Sequence, residues 1–285
     1  MKKHSFAWRS TTVAAVVAVA SMALAGCGSA AAESSAGSTS SAGVTTLVIG
    51  ASPTPHAEIL EFVQKNLAAD AGLDLQIKTF DDYVLPNTAL AEGDLDANYF
   101  QHLDYYTSQV ESQGYKFDHF EGIHIEPLAI YSDTVDSVKA IPDGAKVGIT
   151  NDPGNQGRAL DLLVANDLLT LNDTGEELPT LLDIKDNPLH LEFIETAPEQ
   201  LARALQDVDV AIINGNFALE AGLDPAKDSI LIESGEGSPY ANFLAVRAED
   251  KNNKALVKLD ALLHSPEVAD FITTRWPGGE VIPAF

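Results

Sequence analysis

From residue 46 onward the chain alternates short apolar runs with longer stretches in which apolar residues recur every three or four positions. Residues 46–50 are a run of branched apolar side chains closed by a glycine, the pattern of a buried strand ending in a turn. Across 57–69, Ile59, Leu60, Val63 and Leu67 fall on one face of a 3.6-residue period, predicting a helix. Residues 73–80 alternate apolar and polar, predicting a half-buried strand. Further strands are predicted at 146–150, 189–194, 208–213, 229–232 and 243–246, with a helix over 156–166. Thr196 and Glu199 have the spacing of a capping box, predicting that Thr196 is the N-cap of the next helix. Leu256, Leu259 and Leu263 form the stripe of a late helix. Strands alternating with helices predict an α/β architecture with mostly parallel sheets. Such folds bind ligands at the carboxyl ends of strands, often in a crevice between domains. Two extended stretches, 124–132 and 234–242, contain the prolines and glycines of crossings between domains. They predict one lobe from 44–128 plus 236–285 and a second from 129–235.

The amino terminus follows a different pattern. Lys2, Lys3 and Arg9 precede an apolar and small-residue run of fifteen residues, 11–25. That run is shorter than the ~20 residues of a membrane-spanning helix, and a basic start before a short apolar stretch reads as a secretory signal over 1–26. Leu24, Ala25, Gly26 and Cys27 resemble a bacterial lipobox, which implies cleavage before Cys27 and lipidation of it; the other reading is an ordinary signal that happens to hold a cysteine. Residues 27–43 then form a lipid-tipped tether, small and polar enough to be flexible. The expected location is the cell membrane, lipid-anchored on its extracytoplasmic side. Cys27 is the only cysteine, which excludes an intramolecular disulfide and a paired-cysteine metal or redox site. Asp and Glu number 42 against 17 Lys and Arg, a net charge of -25, which repels phosphate backbones and excludes nucleic acid as a partner.

Candidate chemistry is sparse. The segment from Asn151 to Arg158 lies between a predicted strand and helix, where helix N–H groups and a guanidinium can receive a carboxylate. Read alone, it fits a capped turn with a solvated arginine better. Asn214-Gly215-Asn216 ends the most apolar strand and offers amides to a ligand head group, or is a local Asn-Gly turn. Tyr83, and Tyr99 to His102, place aromatic beside polar groups, as a lined pocket or as ordinary core. His56, His102, His119, His124, His190 and His264 show no metal-binding spacing, so no metal is expected. Hydrolase signatures are absent, no cofactor is indicated, and no catalytic pair stands out among the carboxylates.

Several segments taken in order resemble one family, the NlpA/MetQ lipoproteins, substrate-binding components of methionine ABC importers. They run from Phe80 to Asp94, Asp96 to His102, Ile125 to Pro127, Tyr131-Ser132, Asn151 to Pro153 and Gly157-Arg158. Val210 to Asn216, Ala221 to Leu223, Ser238 to Asn242 and Val281 to Phe285 complete the series. Residues 171–189 depart most from the family pattern, and Ala241 stands where valine is commoner. The resemblance implies a two-lobed periplasmic-binding-protein fold, type II-like, closing on an amino acid, and no enzyme activity. It implies that Arg158 pairs with the ligand carboxylate and that Asn214 and Asn242 hold the head group. It implies that Tyr83, Phe100, His102, His124 and Tyr131 wall the thioether. The implied partners are L-methionine, an ABC permease with its ATPase, and the membrane through lipid on Cys27. Alternatives are D-methionine or methionine-containing peptides, or a surface interaction (adhesin-like) lipoprotein with vestigial binding.

Overall fold

The structure, a computed structural model, describes residues 38–39 and 43–285. The predicted signal, Cys27 and most of the tether lie outside the described residues. The expectation of an unstructured tether through residue 43 needs one correction. Strand β1 (Ser38–Thr39) pairs antiparallel with the start of β2 (Thr45–Ala51). Small polar residues manage this because a ladder is made by main-chain groups and needs no side-chain burial.

The chain continues through α1 (Glu58–Asn66), β3 (Leu73–Thr79), α2 (Leu85–Glu92), β4 (Ala97–Gln101), α3 (Leu103–Gln113) and β5 (Phe117–Ile125). After a short crossing at 126–128 come β6 (Ala129–Tyr131), β7 (Lys146–Thr150), α4 (Pro153–Ala165), β8 (Thr170–Leu171), β9 (Ile184–Asp186), β10 (Glu192–Thr196) and α5 (Leu201–Ala204). Next are β11 (Val210–Ile213), α6 (Gly215–Glu220), α7 (Pro225–Asp228) and β12 (Ser229–Ile232). A second crossing, 233–241, returns to β13 (Asn242–Arg247), α8 (Lys254–Leu263), α9 (Pro266–Arg275) and β14 (Ile282–Pro283).

Two sheets carry the fold. The first runs β3-β2-β4-β13-β5-β14, with β1 also along β2; the second runs β10-β7-β11-β6-β12. Each has the same plan, in which three strands pair in parallel and a fourth is separated from them by one inserted strand. β13 is antiparallel to both β4 and β5, and β6 is antiparallel to both β11 and β12. The inserted strands explain where the expectation of mostly parallel sheets falls short. A strand leaving a crossing starts beside the carboxyl ends of its new neighbours and must run away from them. Both crossings therefore enforce antiparallel pairing, and both sheets turn their strand carboxyl ends toward the crossings.

Local signals explain the elements unevenly. Residues 146–150 and 229–232 are strands with the predicted bounds, whereas the strand predicted at 189–194 runs Glu192–Thr196. The Asn187 side chain, bonded to both N–H and C=O of Leu191, holds 187–191 as a turn. The capping box at Thr196 does not form. Thr196 is instead the last ladder residue of β10, opposite Thr150, and Ala197 starts the short turn 198–200 without a side-chain cap. The sequence does contain a capping box elsewhere, at Thr180 and Asp183. The late leucine stripe is fully buried: Leu256, Leu259 and Leu263 pack with Ile59, Leu60 and Val63 of α1 against the first sheet. Leu160 and Leu163 of α4 pack on Val147, Ile149 and Ile212 of the second. At Gly154 a Cβ would lie 2.7 Å from the Tyr105 Cα, so only glycine lets the first turn of α4 approach α3 this closely.

His264 ties the end of α8 to β5. Its Nδ1 lies 2.9 Å from the Asp260 carbonyl and its Nε2 3.1 Å from the Gly122 carbonyl, so both nitrogens face acceptors and favour the imidazolium. With the Asp260 carboxylate 3.3 Å away, its pKa is pushed up to about 9, chiefly by Asp260. A raised folded-state pKa contributes stability that is complete below about 6.5 and lost as pH rises through about 9. Denaturant unfolding is expected to lose on the order of 1–3 kcal/mol across that window. His264→Gln is expected to flatten most of the slope, and an unchanged slope would show that other groups carry it.

Candidate ligand-binding site

A cavity lies where the carboxyl ends of the strands meet the crossings. The first sheet, its helices and loops contribute Tyr83, Phe100, Gln101, His102, Tyr105 and Asn242 to its lining, and the first crossing contributes Glu126. The second sheet and its helices contribute Asn155, Arg158, Asn214, Gly215 and Asn216. Of the residues that the resemblance placed in the site, Tyr83, Phe100, His102, Arg158, Asn214 and Asn242 line this cavity.

Arg158, on α4, is 4% exposed. A guanidinium cannot shed its charge, so burial demands partners. Its Nε donates to Glu233 Oε1 at 3.1 Å and its Nη2 to Glu233 Oε2 at 2.5 Å and to the Glu126 carbonyl at 2.8 Å. The Tyr240 ring stacks over the guanidinium at 4.2 Å. Arg158 thus grips both crossings, and among the described residues none hydrogen-bonds Nη1. The arginine expected to wait for a ligand carboxylate is already forked onto Glu233, leaving it one free edge in the cavity.

Glu126 supplies the opposite charge. It is 5% exposed and lines the same cavity. Burial pushes its carboxyl up, while His56, Arg158 and an N–H bond from Asn216 pull it back toward ionisation. Gly215 makes room for it, because a Cβ there would lie 2.8 Å from the Glu126 Cβ.

The amides are held in a fixed order. Asp152 caps α4 by accepting the Asn155 backbone N–H at 2.8 Å, and it also accepts the Asn155 side-chain amide at 3.0 Å. That turns the Asn155 oxygen toward the cavity, where Asn214 donates to it at 2.6 Å and His102 Nε2 approaches at 3.0 Å. Asn214 occupies the N-cap position of α6 yet makes no side-chain cap. Its amide is diverted from the helix to the cavity, which distinguishes it from a plain Asn-Gly turn. Burial, with the Arg158 charge adding to it, lowers the His102 pKa to about 3, so that ring is neutral.

The aromatic part of the lining is one cluster. Tyr83 meets Phe100 at 5.8 Å, Tyr105 at 5.5 Å and Phe217 at 4.8 Å between ring centroids. Its hydroxyl donates to Asn216 Oδ1 at 2.5 Å, joining the apolar wall to the amide set. Two of the expected wall residues stand elsewhere. Tyr131 is buried in the middle of the second sheet, opposite Ala211 and Ser229, and does not line the cavity. His124 is fully buried behind the cavity, where the Tyr99 hydroxyl meets its Nδ1 and its Nε2 lies 2.8 Å from Glu126 Oε1.

Sequence reasoning also missed lining residues. Asn155 and Tyr105 lie within segments it examined or bordered, but only helix phase and the Gly154 contact reveal which side chains turn inward. Glu126 is one carboxylate among 42 acidic residues; it falls in the family segment Ile125 to Pro127, but that resemblance assigned it no role. His56, His124 and Glu126 bring potential metal-ligand atoms within 4.8 Å of one another. Their closest separations, 2.8 and 3.2 Å, are those of a carboxylate hydrogen-bonded by two imidazoles. Chemically, the cavity offers a guanidinium donor, a carboxylate acceptor and fixed amides beside an aromatic wall, the complement of a zwitterion with an apolar side chain.

Comparison with known proteins agrees with this chemistry. Residues 47–285 match the family model described as NlpA lipoprotein. The methionine-binding lipoprotein MetQ of Bacillus subtilis is 40% identical over 245 residues, 85% of this chain and 89% of that one. The solved structure of a nutrient-binding protein from Burkholderia cenocepacia, bound to methionine, is 43% identical with a TM-score of 0.81, covering 84% of this chain and all (100%) of that one. An ABC transporter periplasmic substrate-binding protein from Coxiella burnetii is 39% identical with a TM-score of 0.79 over 84% of this chain and 100% of that one. The fold is the two-lobed one of periplasmic substrate-binding proteins, and the chain belongs to the NlpA lipoprotein family.

Proposed function

We propose that this protein is a lipid-anchored receptor on the extracytoplasmic side of the membrane, binding methionine and delivering it to an ABC permease and its ATPase. The observation that carries the reading is the pairing of Arg158 and Glu126 in one cavity with an aromatic wall. A free α-amino acid presents both a carboxylate and an ammonium. The Arg158 Nη1 edge, with the Asn214 and Asn242 amides, receives the first, and Glu126 receives the second. Tyr83, Phe100 and Tyr105 take the side chain. The relatives named for methionine or for ABC transport support the choice of ligand and partner. In this reading Cys27 carries the lipid, residues 44–128 with 236–285 move as one lobe, and 129–235 move as the other.

The energetics suit a tight site. Burying a methionine-sized side chain contributes ~1.5–3 kcal/mol, and each hydrogen bond to a charged group ~1.5–3 kcal/mol. Two or three such bonds with the side chain reach roughly the 8 kcal/mol of a micromolar complex. An apolar pocket alone separates methionine from leucine by only ~1–3 kcal/mol. Contacts between sulfur and aromatic rings add ~0.3–1.5 kcal/mol each.

Calorimetric titration of L-methionine into the soluble form starting at Gly28, unfolded and refolded to strip bound ligand, is expected to give one-to-one binding at micromolar Kd or below. D-methionine and a methionine peptide are titrated alongside to fix the ligand's form. Absence of heat with all three from folded protein would shift the reading to a surface interaction lipoprotein. Arg158→Ala and Asn242→Ala are each expected to weaken binding by ~2–5 kcal/mol, because each strands a buried partner as well as removing a contact. Near-normal affinity in both would take them out of the site. Tyr83→Ala and Phe100→Ala are expected to lower the methionine-to-leucine affinity ratio, and an unchanged ratio in both would assign selectivity to pocket shape elsewhere.

A further inference from the structure

Behind the cavity wall lies a chain of buried polar groups outside its lining. His56 is 1% exposed, and Tyr99 and His124 are fully buried (0%). None of the three lines the cavity, yet each is bonded to a residue that does or to one another. His56 Nε2 lies 3.1 Å from Asn242 Oδ1 and 3.2 Å from Glu126 Oε1. His124 Nε2 lies 2.8 Å from the same carboxylate oxygen, and the Tyr99 hydroxyl meets His124 Nδ1.

Proton bookkeeping fixes the direction of every bond. A phenol this deeply buried keeps its proton, so Tyr99 donates and His124 Nδ1 accepts. A neutral imidazole accepting at Nδ1 carries its hydrogen on Nε2, which then donates to Glu126. His56 Nε2 faces two oxygen acceptors and must also be the protonated nitrogen. Burial keeps both rings neutral, holding His124 at about 3 and His56 at about 4. The Glu126 carboxylate therefore receives two N–H donors from neutral rings and one from the Asn216 backbone. This solvates a buried anion without cancelling its charge.

We propose that His56 and His124 are positioning residues of the amino-acid site: together they hold the Glu126 carboxylate ionised and aimed at the ligand's ammonium, and His56 also orients the Asn242 amide. The proposal rests on the reading of the cavity as an amino-acid site. The protein uses dipolar donors where a cation would neutralise the charge the ligand needs. A lysine or arginine in the place of either histidine would form an ion pair with Glu126 and compete with the ligand's own cation. Tyr99 serves the same arrangement one step further back, by setting the His124 tautomer.

The test uses three probes: L-methionine, 4-(methylthio)butanoate, which lacks the amine, and 3-(methylthio)propylamine, which lacks the carboxylate. Wild-type protein is titrated with methionine first, and failure there removes the amino-acid reading itself. In His124→Phe, methionine and the amine are expected to bind roughly tenfold more weakly or worse while the acid changes by less than about threefold; in His56→Phe, which also releases the Asn242 amide, all three probes are expected to weaken. His56→Gln, which returns an N–H at similar reach, is expected to recover most of the loss. Equal losses on all three probes in His124→Phe, or methionine affinity within about threefold of wild type in both phenylalanine variants, would overturn the positioning role while leaving the amino-acid reading intact. Ring-nitrogen NMR of the wild-type complex needs no variant to fold. It is expected to show both histidines neutral with hydrogen on Nε2, and either ring protonated on Nδ1 would overturn the assignment.

Discussion

A permanently charged guanidinium buried where two sheets meet must find its partners on the spot, and the centre of this protein is arranged around that demand. Arg158 takes the carboxylate of Glu233 from one crossing, the carbonyl of Glu126 from the other, and the face of Tyr240. The crossings are also bonded to each other, Leu128 N–H to Glu233 Oε2 at 3.1 Å and Glu233 N–H to the Leu128 carbonyl at 2.8 Å. One side chain from α4 thereby fixes both segments that join the sheets. Losing it would leave the half-buried Glu233 and the buried Glu126 without the Arg158 charge beside them, a heavier cost than the contact itself. The same placement leaves one guanidinium edge facing the cavity.

Charge handling at the cavity follows one rule on both sides. Arg158 is bound by an anion yet keeps a free edge, and Glu126 is bound by neutral donors yet keeps its charge. Each is held firmly by the protein and remains unfinished until a ligand arrives. The amides follow the same logic: Asp152 orients Asn155, Asn155 receives Asn214, and Asn214 forgoes the cap its position would ordinarily provide. Such preorganisation means that few side chains have to be ordered when the ligand enters.

The alternation of strand and helix was legible in the sequence because it depends on local periodicity. Leu256, Leu259 and Leu263 announce a buried helix face, and 146–150 and 229–232 announce strands, without reference to anything distant. The antiparallel inserted strands were not legible, because their direction follows from the route of the crossings and not from any property of β6 or β13. Thr196 misled for a related reason: a capping signature is local, and the ladder with Thr150 overrode it. In the site, residues carried by the family resemblance reached the cavity where their motif sat at a strand's carboxyl end, as with Phe100, His102 and Asn214. His124 and Tyr131 sit one layer away from it. Glu126 and His56 stayed hidden because their significance lies in a contact across 70 residues of chain, and although Glu126 sits in the family segment Ile125 to Pro127, nothing local gives it a role in the site.

The position of β13 has a consequence for how the chain is made. This strand lies between β4 and β5, in the interior of the first sheet, although it comes from near the end of the sequence. Until residues 242–247 have been synthesised, β4 and β5 have no shared neighbour, and the first sheet stays split. Asn242 belongs to that same strand, so completing the sheet and completing the cavity are a single event. Long-range pairings of this kind close slowly, because the intervening chain must be ordered first. A nascent chain therefore cannot join β5 to the strands that precede it until most of the chain exists.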